Sequence, residues 1–238
     1  MYYSDGQFYQ LKIQQIVFYF IVSLTINAFG NGLSVASNMG SAPWTAAAAN
    51  LANVTGGPIA VFLLLISTSV ACANLVISGN YNWPRFFGNI AFGAAFSVLV
   101  GLFATFFRHL GVENLPIVWR IIVDIFAVTN VGIGISIYQR VNLIMHPIDD
   151  LTNILRFKYF HGNPSKAQIS NFIFAVGISV VCFIFSHKLV ALNIGTAFSF
   201  FCQGKIIGFS DVHVFKHLVH GDLSKIHKSK VQKSSQQP

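Results

Sequence analysis

The sequence predicts an all-α membrane protein: six transmembrane helices in two inverted-topology three-helix repeats, then a C-terminal interfacial helix. Three observations carry this. Only 9% of the 238 residues are charged, against about 25% in soluble domains, too few to cover a soluble fold. Hydrophobic residues make up 54%, with 24 Phe and a mean hydropathy of +0.62. The two halves of the chain also repeat one motif order. An ordinary soluble enzyme and a disordered tail protein are both excluded.

The elements follow in order. Residues 1–15 form a polar segment assigned to the cytoplasm. A spanning helix needs about 20 mostly apolar residues, and six stretches qualify: 16–35, 58–77, 86–107, 117–137, 169–185 and 189–207. The first is too long for a signal-peptide core and no small-residue cleavage site follows it, so it reads as a retained span. The last two are joined by the short turn Ser186-His187-Lys188. The repeats are 16–107 and 117–207, and a basic tail covers 208–238.

Charge orients the chain. With both termini inside, the inner segments hold twelve Lys/Arg, among them Lys12, Arg85, Arg140, Arg156 and Lys205, and the outer segments hold three, Arg108, Arg120 and Lys188. Basic residues concentrate on the cytoplasmic side of membrane proteins, so both termini are expected there, in a bacterial cytoplasmic membrane. Because the basic residues flank apolar runs, their expected partner is the anionic inner leaflet and not nucleic acid. Tyr81, Trp83, Trp119 and Tyr138 lie near span ends, where interfacial anchors belong. In the tail, Val212, Val214, Phe215, Leu218 and Val219 fall on one side of a helix. That predicts an interfacial helix over 211–220, with a disordered Lys/Ser/Gln stretch after Gly221.

The repeat is visible in two motifs. GNGLSVASNMGSAPWT starts at Gly30 and GISIYQRVNLIMHPID at Gly134. At a shift of 104, Gly30 meets Gly134, Asn38 meets Asn142, Pro43 meets Pro147 and Thr45 meets Asp149. Each motif leaves a first span and enters a short helix, expected over 45–54 and 149–159 with Thr45 and Asp149 as N-caps. Charges in the second short helix favour a surface position. Three spans per half force the second half to insert upside down, as in many transporters.

These motifs, a Gly-rich helix end followed by N-M-G-S-A-P-W and again by N-L-I-M-H-P-I-D, resemble the YczE/YyaS/YitT-type bacterial membrane proteins over most of 20–209. The family pattern carries an acidic residue where this chain has Thr45, and prefers Gly where it has Ile144. The resemblance implies a multi-pass inner-membrane protein and no particular substrate.

Candidate substrate-binding residues are polar groups inside spans or at the motif loops. Asp124 lies about two turns into the fourth span, where a carboxylate costs about 2.5–3.5 kcal/mol to insert. It is expected to face the interior near Asn27 or Asn31, with pairing to Arg120 as the competing account. Asn27 and Asn31 share a face of the first span; Asn74, Asn89 and Asn130 also lie in spans, as cavity lining or as hydrogen-bonding glue between helices. Asn142 and Asp149 belong to the second motif, where Asp149 and Asp150 also complement a helix dipole.

Other features read as structural. Gly93, Ser97 and Gly101 suit close helix approach. Cys72, Cys182 and Cys202 read as small core residues. His213, His217 and His220 share a helical spacing that could bind zinc, but lack a completing ligand and read as the polar side of the tail helix. No P-loop, G-x-S-x-G or H-E-x-x-H is present, so no enzyme, cofactor or metal site is expected. The leading function is transport or capture of a small polar or charged solute. The alternative is a non-transporting accessory subunit of another membrane complex; a homo-oligomer is also compatible.

Overall fold

The computed structural model describes residues 1–4, 7–40, 42–57, 59–79, 81–188 and 192–221. Two short strands, β1 (Tyr2–Ser4) and β2 (Gln7–Tyr9), form a hairpin. Among the described residues eight α-helices follow: α1 (Ile13–Ser37), α2 (Pro43–Thr55), α3 (Ile59–Ser78), α4 (Trp83–His109), α5 (Ile117–Val141), α6 (Pro147–Lys158), α7 (Pro164–Ser186) and α8 (Ile194–His213).

Five of these, α1, α3, α4, α5 and α7, are long and apolar enough to cross a membrane. Leu64, Val98, Leu102, Phe174, Ile184 and Phe185 are exposed on them, a continuous apolar exterior that fits lipid better than water. The chain is an integral membrane protein. The sixth expected span corresponds to α8, which is as long as α3 but carries Gln203, Lys205 and Asp211. Residues 189–191, the start assigned to it, lie outside the described residues.

α1 and α5 form the centre, and they run antiparallel. Ser34 of α1 meets Asp124 of α5, while Asn27, two turns back, meets Tyr138, four turns on. Glycine lets them cross closely. A Cβ on Gly30 would stand 2.6 Å from the Ala127 carbonyl and 2.9 Å from the Val131 nitrogen; one on Gly134 would stand 2.9 Å from both the Ser23 carbonyl and the Asn27 nitrogen. α4 packs on α1 and α8 on α5.

The second layer joins the halves through the short helices. α2 lies on α7 and α6 on α3. Their shared core contains Trp44 and Ala47 of α2, Ile66 and Val70 of α3, Leu151 of α6 and Phe172 of α7. The Ala46–Ala47–Ala48 run of α2 is wholly buried; methyl-sized side chains let the helix sit flat against its neighbours.

The helix ends correct several expectations. α2 and α6 begin at Pro43 and Pro147, with Ala42 and His146 as caps. Thr45 and Asp149 sit inside the first turn, because proline's fixed φ suits the first helical position. α1 and α5 end on Asn38 and Asn142, both left-handed (φ 52° and 54°). Asparagine tolerates this conformation better than other non-glycine residues. α6 is not a surface helix: Asp150, Leu151, Thr152, Asn153 and Arg156 are all buried.

The tail differs most. No separate helix forms over 211–220: α8 runs on to His213 and the chain then turns back irregularly. It does so because stronger partners claim its backbone. The Arg140 guanidinium donates to the carbonyls of Val214, Phe215 and Leu218, and the N-terminal hairpin adds Tyr3 N to His217 O and Val219 N to Met1 O. His220 is buried against Asp211 and Arg156, while His217 faces Tyr3 and His213 lies on Phe209. The three histidines therefore share no face. The tail after 221 lies outside the described residues.

Smaller corrections follow the same logic. Tyr138 is fully buried, not an interfacial anchor, whereas Tyr81, Trp83 and Trp119 are exposed. Cys72 is exposed on α3, while Cys182 is buried. Of the small-residue stripe of α4, a Cβ on Gly93 would meet the His146 ring and Pro147 at 3.6–3.9 Å, whereas Gly101 has no neighbour within 4 Å and Ser97 is exposed, so among the described residues only its first member packs.

Candidate functional site

The start of α6 gathers the polar side chains. Asp150 points toward α4, where Arg85 grips it with two bonds, Nη2 to Oδ1 at 2.7 Å and Nε to Oδ2 at 3.2 Å. Asn89 Nδ2 adds a third at 2.6 Å. Bidentate guanidinium–carboxylate pairing is the strong form of the ion pair, and it ties the first half of the chain to the second. Arg85 also donates to Asn142 Oδ1 at 2.9 Å. Asn142 is thereby used twice: its backbone ends α5 and its side chain orients Arg85.

Beside this pair lies a cavity of about 590 Å³ between α3, the start of α4, the end of α5 and α6. Its walls carry Asn74, Asn82, Asn142 and Asn153, together with Arg85, Asp150 and Lys158. Phe86, Leu75 and Phe157 supply apolar surface. Lys158 Nζ donates to the Ile77 carbonyl at the end of α3. Asn74 Nδ2 donates to the Pro147 carbonyl at 2.8 Å. The amide oxygens of Asn74 and Asn153 are buried and have no hydrogen-bond partner among the described residues. Amides, one ion pair and a lysine around an open volume can recognise a small polar molecule by hydrogen bonds.

Asp149, next along the helix, turns the other way, toward the α1–α5 seam. Tyr138 donates its hydroxyl to Asp149 Oδ2 at 2.5 Å. Asn27 Nδ2 donates to the Tyr138 oxygen at 3.0 Å, and Asn31 Nδ2 to Asn27 Oδ1 at 2.6 Å. Burial raises the Asp149 acid to about 6, with the Tyr138 bond pulling down and the charge of Asp150 pushing up. Burial likewise pushes His146 down to about 4; its Nδ1 faces the Ile148 backbone N–H, so the ring is neutral.

The predicted residues thus divide. Asn27, Asn31 and Asp149 form one chain through Tyr138, and Asn142 belongs to the cavity next door. Asp124 stands apart: it is buried and accepts from Ser34 Oγ at 2.5 Å and Ser37 Oγ at 3.2 Å. A Cβ on Gly195, in the first turn of α8, would collide with its carboxylate, so the positive end of that helix faces the charge. Arg120 is not its partner; it donates to the Ser37 and Asn38 carbonyls and closes the end of α1. Asn130 Nδ2 bonds the Phe126 carbonyl of its own helix and joins neither cluster.

Sequence reasoning missed Arg85, Asn153 and Tyr138 as site residues. Arg85 was a topology charge and Tyr138 a span-end aromatic; their roles depend on contacts 65 and 111 residues away in the chain. Asp150 carried a usable signal, a second carboxylate beside Asp149.

A third cluster ties the tail. Asp211 accepts from Arg156 Nη2 at 2.5 Å and Ser136 Oγ at 2.6 Å, and lies 3.2 Å from His220 Nε2 and 3.6 Å from Arg140 Nε. Its side chains bond one another and the backbone carbonyls of the tail, which marks a structural knot. Among the described residues no group of three or more His, Cys, Asp or Glu is placed to hold a metal ion.

The model of a family of unknown function, DUF6198, matches residues 13–212. No curated protein and no solved structure matches the chain.

Proposed function

The chain belongs to the DUF6198 family, and from that premise we propose that it is a membrane carrier that captures a small polar or charged solute between two inverted repeats. The observation that carries this is the cavity of about 590 Å³ whose walls come from both halves: α3 and α4 from the first, the end of α5 and α6 from the second. A solute seated there touches both halves at once, which is how repeat-built carriers couple binding to rocking.

Several features support the repeat. Gly30 and Gly134, Asn38 and Asn142, and Pro43 and Pro147 each stand 104 residues apart, and each pair plays one role: helix crossing, left-handed helix end, first residue of a short helix. Even the crossing partners correspond, since Ala127 and Val131 against Gly30 mirror Ser23 and Asn27 against Gly134. The antiparallel α1–α5 pair suits opposite insertion. With α8 as sixth span, both termini fall on one face; the hydrogen bonds between Met1 and Val219 fit that, and the Lys/Arg asymmetry makes it the cytoplasmic face of a bacterial inner membrane with an anionic leaflet. The likeness to YczE/YyaS/YitT-type proteins agrees with this reading.

One observation favours the accessory reading: Ser97 and Gly101 leave a small-residue stripe of α4 without a partner helix. A thermal-shift experiment tests capture. Purified protein is heated with the twenty amino acids, C4 dicarboxylates and monosaccharides, one at a time. The carrier reading expects at least one class to raise the wild-type midpoint but not that of Asn153→Leu. A wild-type midpoint unmoved by all of them, or shifted equally in the variant, speaks against capture at this cavity.

A further inference from the structure

Two adjacent carboxylates open α6, and their surroundings differ. Asp150 faces the Arg85 guanidinium at 2.7 Å and the Asn89 amide. Asp149 faces a phenol. It meets the Tyr138 hydroxyl and the Gln139 amide of α5; Asp150 is its neighbour on the same helix, the neutral His146 ring caps that helix at Ile148 N–H, and Asn27 of α1 reaches it through Tyr138. None of these is a cation, and Gln139 reaches only the backbone oxygen of Asp149, at 3.4 Å.

The hydrogen bonds make protonation consequential. In the anion, the Tyr138 hydroxyl points at Asp149, and Asn27 donates to the phenol oxygen. That arrangement joins α6, α5 and α1 in one directed series. A proton on Asp149 Oδ2 turns the acceptor into a donor. Two donors then aim at the phenol oxygen, and the Tyr138 proton must leave this line. Neighbouring carboxyl groups set in unlike surroundings are how proteins divide acid and base roles.

We propose that Asp149 is the proton-binding site of this carrier, taking one proton from water as α6 shifts against the α1–α5 seam and returning it to water when the seam re-forms. The proposal rests on the carrier reading and adds its coupling ion, while Asp150 remains held by Arg85 beside the solute cavity. The position of the Asp149 acid at about 6 places the exchange within the ordinary cytoplasmic and external range.

Infrared difference spectroscopy on the purified full chain tests this without any solute. The chain has only seven Asp and Glu, so the C=O stretch of one protonated carboxyl is resolvable. Spectra are recorded between about pH 4 and 8, spanning the carboxylate and histidine ranges. In wild type one carboxyl band titrates near pH 6, it is missing from Asp149→Asn, and it persists in Asp149→Glu with a moved midpoint. In Tyr138→Phe, which removes the donor to the anion, the midpoint rises; in Asp150→Asn, which removes the neighbouring charge, it falls. No titrating band in wild type, the same band in Asp149→Asn, or a lowered midpoint in Tyr138→Phe overturns the proposal. A band that behaves as stated while no solute shifts the thermal midpoint would leave the proton site standing and sink the carrier reading instead.

Discussion

A methyl group added at Gly134 tests the crossing on which the molecule is built. In Gly134→Ala the new carbon would stand 2.7 Å from Asn27 Cβ and 2.9 Å from the Asn27 nitrogen and Ser23 oxygen. Two of these three are backbone atoms, so no rotamer change relieves the clash. Non-bonded carbons rest at about 3.5–4.0 Å, so α1 and α5 must part by about 1 Å. That stretches the 3.0 Å Asn27–Tyr138 bond beyond hydrogen-bond range. Overpacking costs about 1–3 kcal/mol and the broken bond about 1 kcal/mol, for a loss of about 2–4 kcal/mol. The assay is thermal unfolding in detergent, followed by a thiol-reactive dye on buried Cys182 after Cys72 and Cys202 are changed to Ala. Gly177→Ala is the control: nothing lies within 4 Å of a Cβ there, and Ala in a helix interior is favoured over Gly by about 1 kcal/mol. Its midpoint should rise while that of Gly134→Ala falls by several degrees. If the two variants move together, the close crossing is not what holds α1 against α5.

Other perturbations have stated signs. Arg85→Ala should destabilise more than Asp150→Ala, because it strands a carboxylate 4% exposed whereas the converse leaves a guanidinium 27% exposed to solvent; orphaning a buried charge costs about 3–5 kcal/mol, and thermal midpoints of the two variants decide the order. Asp124→Asn should change stability by less than about 1 kcal/mol because Ser34 keeps an oxygen acceptor, whereas Asp124→Leu strands that hydroxyl and costs about 1–3 kcal/mol; equal losses would mean that the charge itself matters. Asp149→Asn should stabilise the fold increasingly as pH rises. The wild-type acid is raised from 3.8 to about 6, so the folded state holds the proton longer than the unfolded chain. Wild-type stability then falls from pH 4 to 6, by up to about 3 kcal/mol. The variant lacks that loss; His146, which acts in the opposite direction over this range, cancels in the comparison. Parallel stability–pH curves for wild type and Asp149→Asn would refute the assignment.

The sequence made the helices legible and left their partners hidden. Apolar length set α1, α3, α4, α5 and α7, and the two aligned motifs placed a short helix after the first span of each half, though two residues later than the starts at Pro43 and Pro147. Periodicity misled in the tail, where Val212, Leu218 and Val219 have helical spacing but Arg140 and the N-terminal hairpin capture the backbone. Those partners are about 70 and more than 200 residues distant in the chain, beyond any local pattern. Asp124 was rightly expected inside, since a lipid-facing carboxylate is too costly, yet nothing local distinguished Ser34 and Ser37 from Asn27 and Asn31 as its hosts. The cavity escaped notice because its key pair, Arg85 and Asp150, is split between a topology charge and a helix-dipole charge, and only the packing of α6 on α3 and α4 brings them together.

The central claim is a cavity reached alternately from the two sides of the membrane. It is tested most directly by Asn153→Cys in a chain whose three native cysteines have been replaced by Ala, with a membrane-impermeant thiosulfonate added first to intact cells and then to inverted vesicles. The account predicts modification from both sides, faster from the cytoplasmic side, to which the proposed orientation assigns Arg85 and Lys158 of the cavity wall. Modification from one side only, at every time and temperature tried, would contradict it and leave a membrane protein with a fixed pocket.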